Sequence, residues 1–116
     1  MTIKRFHVGP RLSEMAVHGD TIYLAGQVAG DPTQDITGQT REVLAAIDTL
    51  LGEVGSDKSR ILSTTIYIAD MADFPTMNAV WDAWVVPGAT PPRATVEAAL
   101  AKPAYKVEMQ IIAAMP

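Results

Sequence analysis

Cysteine is absent from this chain of 116 residues, and its absence excludes several classes of protein. Without cysteine there is no disulfide framework, no thiolate zinc site and no thiol nucleophile, and nothing in the fold requires an oxidising compartment. We therefore expect a cytoplasmic protein. The sequence contains only two histidines, His7 and His18, and neither is close to an acidic cluster in the sequence. We expect ordinary surface or edge histidines, and we predict no metal site and no cofactor.

Positive charge is also scarce. Nine Lys and Arg residues stand against thirteen Asp and Glu residues, which makes the net charge −4. No stretch clusters basic residues as a phosphate-binding surface requires, so we expect no nucleic-acid partner. No apolar run approaches the roughly 18 residues of a membrane span, and no apolar segment follows Lys4 and Arg5. We therefore expect neither a signal peptide nor a membrane anchor.

Apolar residues are abundant for a chain of this size. They make up 48% of the sequence, charged residues make up only 19%, and the length fits one domain covering residues 1–116. The mean hydropathy is slightly positive, at +0.14. We expect part of this apolar surface to be buried between subunits.

The order of elements predicts an α+β fold. Apolar residues at helical spacing lead up to Gly55, and a second helix is expected from an Asp73 N-cap, with Pro75 in its first turn and Trp81 and Trp84 on its apolar face. Runs rich in β-branched residues predict strands at residues 3–8, 15–17, 21–24, 61–68, 94–99 and 106–114. Two amphipathic helices favour a mixed sheet with both helices on one face. Self-association is the simplest cover for the other face.

Standard catalytic signatures are missing, because the chain has no Gly-x-Ser-x-Gly elbow, no Gly-rich phosphate loop and no His-Glu-x-x-His. Arg93 is the first candidate, since Pro91 and Pro92 stiffen the backbone that presents it. Its planar guanidinium can bind a carboxylate through two parallel hydrogen bonds. A structural role for Arg93 in a salt bridge or at the surface is the alternative.

Other candidates are weaker. Gly26 would allow either a β-bulge or the close approach of a ligand, or would simply end a strand. Asn78 could contact a ligand or cap a loop, and the two tryptophans fit core or interface packing better than a substrate platform. Glu97 and Glu108 occupy strand positions whose default is a solvent-facing carboxylate.

Five segments, taken in order, form a recognisable set: Gly9-Pro10, Leu24-Ala25-Gly26-Gln27, Met77-Asn78-Ala79-Val80-Trp81, Pro92-Arg93-Ala94-Thr95-Val96-Glu97 and Lys106-Val107-Glu108. Together they resemble the RidA/YjgF family, also called the Rid or endoribonuclease L-PSP-like family. The resemblance spans nearly the whole chain and is most specific where an arginine enters a strand and a Val-Glu-containing strand follows a break. Within the family, the sequence of residues 81–85 and 103–108 is most similar to the YoaB-like branch.

This resemblance implies a chorismate-mutase-like fold and a homotrimer with clefts between neighbouring subunits. It also implies hydrolysis of reactive 2-imino or enamine acids to 2-oxo acids and ammonia. By the family pattern, Arg93 holds the substrate carboxylate, Thr95 offers backbone groups beside it, Gly26 with its neighbour Ala25 lies at the reacting end, and Asn78 shapes the pocket.

Three positions depart from the family pattern. Gln110 is assigned to the place of a glutamate on the last strand, Arg11 follows Gly9-Pro10 where the family has tyrosine, and Ala25 replaces a hydroxyl residue. An amide can orient water but cannot take its proton at neutral pH. Two functions therefore stay open: an imine deaminase, or a non-catalytic module that binds a small 2-oxo acid. A ribonuclease role is disfavoured by the acidic composition.

Overall fold

The computed structural model describes residues 1–116 and contains one six-stranded sheet and two α-helices. The helices are α1 (Ile36–Glu53) and α2 (Phe74–Trp84). The strands are β1 (Ile3–Val8), β2 (Ser13–His18), β3 (Thr21–Leu24), β4 (Ile61–Ile68), β5 (Arg93–Glu97) and β6 (Val107–Ala114). Short 3-10 turns precede β4 and α2. The predicted α+β fold is confirmed.

The sheet is mixed, as predicted. Its strand order is β1-β2-β3-β6-β4-β5, and every neighbouring pair is antiparallel except β4 and β5. β4 and β5 are parallel because α2 carries the chain from the end of one to the start of the other. β2 and β3 form the expected hairpin, whose turn contains Gly19 at φ 61°.

Both helix ends follow from local chemistry. The Asp35 carboxylate caps α1 by accepting a hydrogen bond from the Gly38 amide at 2.9 Å. α1 ends at Glu53, and its C-cap residue Val54 is followed by Gly55, whose φ of 76° suits a residue without a Cβ. Asp73 occupies the predicted N-cap of α2, but its side chain makes no capping hydrogen bond. Pro75 in the first turn needs no amide partner there.

A single hydrophobic core lies between the helices and one face of the sheet. It contains 19 buried residues drawn from both helices and four of the six strands, β2, β3, β4 and β6. On β6 the alternation is complete: Val107, Met109, Ile111 and Ala113 are fully buried, and the residues between them are not. The prediction that both helices pack on one face is therefore confirmed. We call this the covered face and the opposite one the open face.

A buried glutamine joins the start of α1 to the segment before β6. The Gln39 side chain is fully buried, its Nε2 lies 3.0 to 3.1 Å from the carbonyl oxygens of Pro32, Gln34 and Ala104, and its Oε1 accepts the Lys106 amide at 2.9 Å. Because the Lys106 amide bonds to this side chain, β6 begins one residue later than predicted.

β5 also differs from its prediction, since it begins at Arg93 and ends at Glu97. Its length is set by β4, because Glu97 pairs with the last residue of that strand, Ile68. Strand pairing is a tertiary event that β-propensity does not report. Neither helix is long and apolar enough to cross a membrane.

Candidate active site

Arg93 lies on the covered face at the edge of the sheet. Its Cα pairs in register with Thr64, which is 1% exposed. The guanidinium carbon lies 5.3 Å from the ring centroid of Trp81 and 5.7 Å from that of Phe74. The half-buried side chain makes no hydrogen bond or ion pair within the chain. A positioned cation whose N–H groups lack partners is suited to bind an anion.

The sequence arranges this support locally. Phe74, Asn78 and Trp81 are spaced by four and three residues, so they share the face of α2 that is turned toward Arg93. A cation over aromatic rings gains about 0.5 to 2 kcal/mol, which favours one orientation of the long side chain. The carbonyl of Pro92 accepts the Thr64 amide at 3.0 Å, so β4 fixes the backbone immediately before Arg93.

Three buried polar atoms near this end of the sheet have no hydrogen-bond partner in the chain: Thr64 Oγ1, Asn78 Oδ1 and Thr95 Oγ1. Thr95 pairs in register with Ile66 and so lies on the covered face with Arg93. An unpaired buried polar group costs roughly 1 to 3 kcal/mol, and such a cost is characteristic of sites shaped for function. Arg93 and Thr95 thus share one face of β5, and Asn78 lies on α2 between the two aromatic residues that contact Arg93.

Gly26 lies beside Glu108. After β3, Gln27 and Met109 exchange both backbone hydrogen bonds, at 2.8 and 3.1 Å, which brings Gly26 next to the start of β6. A Cβ added at Gly26 would overlap the Glu108 carboxylate. A side chain at position 26 would therefore displace the carboxylate of Glu108 from this place, although the backbone of Gly26 is not in the left-handed region. The expected solvent-facing Glu108 is instead half-buried against this glycine.

Gln110 occupies the same face of β6 two residues further on. It is exposed and pairs in register with Thr65. Ala25 is half-buried, and its amide donates to the Glu14 carbonyl at 2.9 Å. The expected role of Gln110 stays a prediction. The structure adds that Glu108, an ionisable group, lies beside Gly26.

Each chain therefore contains two candidate half-sites, one with Arg93 and Thr95 and one with Glu108 and Gln110, and they face opposite ways. Arg93 and Thr95 lie on the covered face at one edge, whereas Glu108 and Gln110 alternate with the buried residues of β6 and lie on the open face. Within one chain the sheet itself separates Arg93 from Glu108.

Sequence reasoning missed Phe74 and Glu108. The spacing of Phe74 from Trp81 was a usable signal for the first. No local pattern could show that Glu108 rather than Gln110 meets Gly26, since the pairing of residues 27 and 109 joins distant segments. His7, expected to be an ordinary edge residue, is bonded through Nε2 to Glu53 Oε2 at 2.8 Å.

Small α+β proteins with this fold are known from several organisms. The sequence profile of the Endoribonuclease L-PSP family matches residues 2–115, and the chain belongs to this family, which is the RidA/YjgF family that the sequence resembles.

Individual relatives are similar over almost their whole length. The RutC family protein YoaB of Escherichia coli is 47% identical over 115 residues, covering 99% of this chain and all of the relative. A RutC family protein of Haemophilus ducreyi is 49% identical, with 97% of each chain covered. A crystal structure of a YjgF-family member from Neisseria meningitidis superposes with a TM-score of 0.97 at 46% identity, covering all of this chain and 97% of that one.

Proposed function

We propose that this protein hydrolyses reactive 2-imino or enamine acids to 2-oxo acids and ammonia. The single observation that carries the proposal is Arg93, a half-buried guanidinium held over Phe74 and Trp81 with no partner of its own. Membership of the RidA/YjgF family supports a role in small-molecule metabolism. The deaminase activity is the specific form of that role that the two half-sites favour.

The chemistry needs one carboxylate clamp and one proton acceptor. Arg93 binds the carboxylate of the imino acid and fixes the adjacent C=N carbon, while Thr95 and Asn78 shape the pocket. A water molecule adds to that carbon, and Glu108 takes its proton. Glu108 passes this proton to the imine nitrogen, which gives a carbinolamine with an amino group and a hydroxyl group. The hydroxyl proton is then moved through Glu108 to the amino nitrogen, and as the C=O bond forms the C–N bond breaks, which leaves the 2-oxo acid and ammonia. Gly26, with Ala25 beside it, gives the carbon access to Glu108.

Because the two half-sites lie on opposite faces of one sheet, we propose that each cleft combines Arg93 of one subunit with Glu108 of its neighbour. The homotrimer implied by the family resemblance supplies such neighbours in a closed ring. The exposed apolar side chains of the open face, among them Tyr23 at 47% exposure, are the surface that the assembly would cover.

The direct test generates 2-imino acids in situ with an amino-acid oxidase and follows the release of the 2-oxo acid. We expect Arg93→Ala to lower kcat/KM about 30-fold or more, since removing one partner of a desolvated charge pair costs about 2 to 5 kcal/mol. Arg60→Ala removes an exposed arginine whose guanidinium donates to the Met115 carbonyl, away from both half-sites; it is the matched control and should retain the wild-type rate. A rate unaffected by Arg93→Ala would disprove the assignment.

Two further variants separate the candidate proton acceptors. Glu108→Gln keeps the shape of the side chain and removes the base, so we expect most of the rate to be lost while substrate binding survives. Gln110→Ala should have a smaller effect. A larger loss of rate in Gln110→Ala than in Glu108→Gln would instead assign the role of proton acceptor to Gln110.

Mixing tests the shared cleft. Arg93→Ala and Glu108→Gln, each inactive alone, are unfolded and refolded together, so that some clefts receive both intact residues. Activity recovered only in the mixture supports a cleft between subunits, and no recovery in mixed assemblies of demonstrated composition contradicts it.

A binding module for small 2-oxo acids is the second candidate. It is favoured by the exposed amide of Gln110, at the position where the resemblance expects a glutamate, and by the fact that Arg93 alone suffices to hold a carboxylate. It predicts saturable 2-oxo acid binding by calorimetry with no turnover, and Gln110→Glu would then gain hydrolysis. Turnover by the wild type above the uncatalysed rate excludes it.

A further inference from the structure

A groove between α1 and α2 lies outside both half-sites. Its volume is about 470 Å³, within the range of roughly 300 to 1,000 Å³ that holds small molecules. Its apolar lining is formed by small or medium side chains of the two helices. These are Leu44, Ala45, Ala79, Val80 and Ala83.

The polar groups of the groove are divided between two regions. Trp84, Asp48 and Lys58 are already paired: the indole Nε1 donates to Asp48 Oδ2 at 3.0 Å, and the Lys58 ammonium lies 5.2 Å from the Trp84 ring centroid. Arg41 is seven residues before Asp48, which places it about 10 Å along the helix. Arg41 makes no ion pair or hydrogen bond through its side chain.

The end of the groove near Arg41, where the polar groups are unpaired, also contains two hydroxyl groups. Thr37 precedes Arg41 by one helical turn, and Thr76 lines the groove from α2; neither hydroxyl is bonded within the chain. A guanidinium with two nearby hydroxyls provides hydrogen-bond donors for a carboxylate. The charged lining residues, Arg41, Lys58 and Asp48, sum to +1, in a protein whose net charge is −4. This balance fits one negative charge.

We propose that this groove is a second binding site, which takes a monocarboxylic acid with an apolar body. The carboxylate binds Arg41 with Thr37 and Thr76, and the apolar part lies along the alanines toward the Trp84 ring. The site is separate from Arg93 and does not depend on the proposed deamination, so either can fail without the other.

Trp84 provides the readout. Titration of the intact protein with 3-phenylpropanoate should change the indole fluorescence saturably, and calorimetry should give the same Kd. The neutral 3-phenylpropanamide should bind at least about fivefold more weakly, as expected from the loss of one partly exposed charge interaction of about 1 kcal/mol. Equal binding of the acid and the amide would overturn the role of Arg41.

Variants localise the signal. Arg41→Gln should weaken binding of the acid to the level of the amide, and Ala83→Leu should abolish it by filling the groove. Two control variants lie outside the groove and should leave the Kd unchanged. Arg11→Gln is the matched arginine control. Lys102→Gln removes a lysine that lies, like Lys58, over an aromatic ring, in this case 5.6 Å from the ring centroid of Tyr105.

Arg93→Ala distinguishes the two sites. If the groove is the site, this variant keeps the Kd and the fluorescence change. If it abolishes the change, the acid is bound at Arg93 and the proposal is wrong. The absence of any saturable binding would also overturn it.

Discussion

The two faces of the sheet differ in what their residues contribute. On the covered face, every second residue of β6 is fully buried under the helices. On the open face, the same strand presents Glu108, Gln110 and Ile112, which are half-buried or exposed. One strand therefore contributes alternate side chains to the core and presents the others, including Glu108 and Gln110, on the open face. The alternation of side chains along a strand makes this division possible.

Arg93 breaks the division, since it lies on the covered face and yet is the best candidate for binding a ligand. It can do so because β5 is at the edge of the sheet, where the core is thin and α2 supplies two rings rather than a sealed layer. The unpaired Thr64, Asn78 and Thr95 oxygens are the local cost of placing polar groups there.

Neighbouring residues of β6 give the sharpest test of the two faces. Met109→Ala should destabilise the fold by about 2 to 5 kcal/mol, because it removes a fully buried side chain and leaves a cavity. Gln110→Ala, one residue away, should change the free energy of unfolding by no more than about 0.5 kcal/mol in the separated subunit. Urea unfolding measures both. Similar losses would contradict the distinction between the faces.

The open face should matter for assembly more than for folding. Ile112→Lys places a charge in the row of open-face residues that includes its partner on β3, Tyr23. We expect it to lower the mass measured by light scattering from that of a trimer toward that of a subunit, while the circular dichroism spectrum is retained. Thr49→Lys, on the exposed side of α1, is the control. A wild-type protein that is monomeric would contradict the assembly itself.

Asp31 lies on neither face of the sheet, and its replacement should have the smallest effect on stability of the changes considered. Hydrogen bonds from the hydroxyl and amide of Thr33 lower the pKa of its carboxyl below the usual value. The stability that Asp31 contributes is present above its unfolded pKa and is lost as the pH falls through the lower folded pKa. We expect the difference in Tm between wild type and Asp31→Asn to shrink from pH 7 to pH 2. A difference that grows on acidification would contradict the cause given.

Local patterns predicted the elements well where the signal was local. The bounds of β4 at Ile61–Ile68 and the start of α2 after Asp73 follow from β-branched runs and from Pro75. The last strand was placed one residue early because the Lys106 amide bonds to Gln39, which is 67 positions away. A short stretch of sequence does not reveal long-range hydrogen bonds of this kind.

Candidate residues divided in the same way. Arg93 stood out because the two prolines before it are adjacent in sequence, and its partners Phe74 and Trp81 are carried on one helix. The sequence analysis assigned Gln110 to the place of the family glutamate without a test against Glu108, because both lie on one face of one strand and only the pairing of Gln27 with Met109 decides which meets Gly26.

The sequence by itself determined the fold class, the family and the two amphipathic helices, and it singled out Arg93 as the first candidate, because periodicity and short motifs are properties of neighbouring residues. Only the tertiary structure decided that Glu108 lies against Gly26, that Arg93 and Glu108 lie on opposite faces, and that a groove opens between α1 and α2. Each of these depends on strand register or helix packing, and both are set by contacts between residues far apart in the chain.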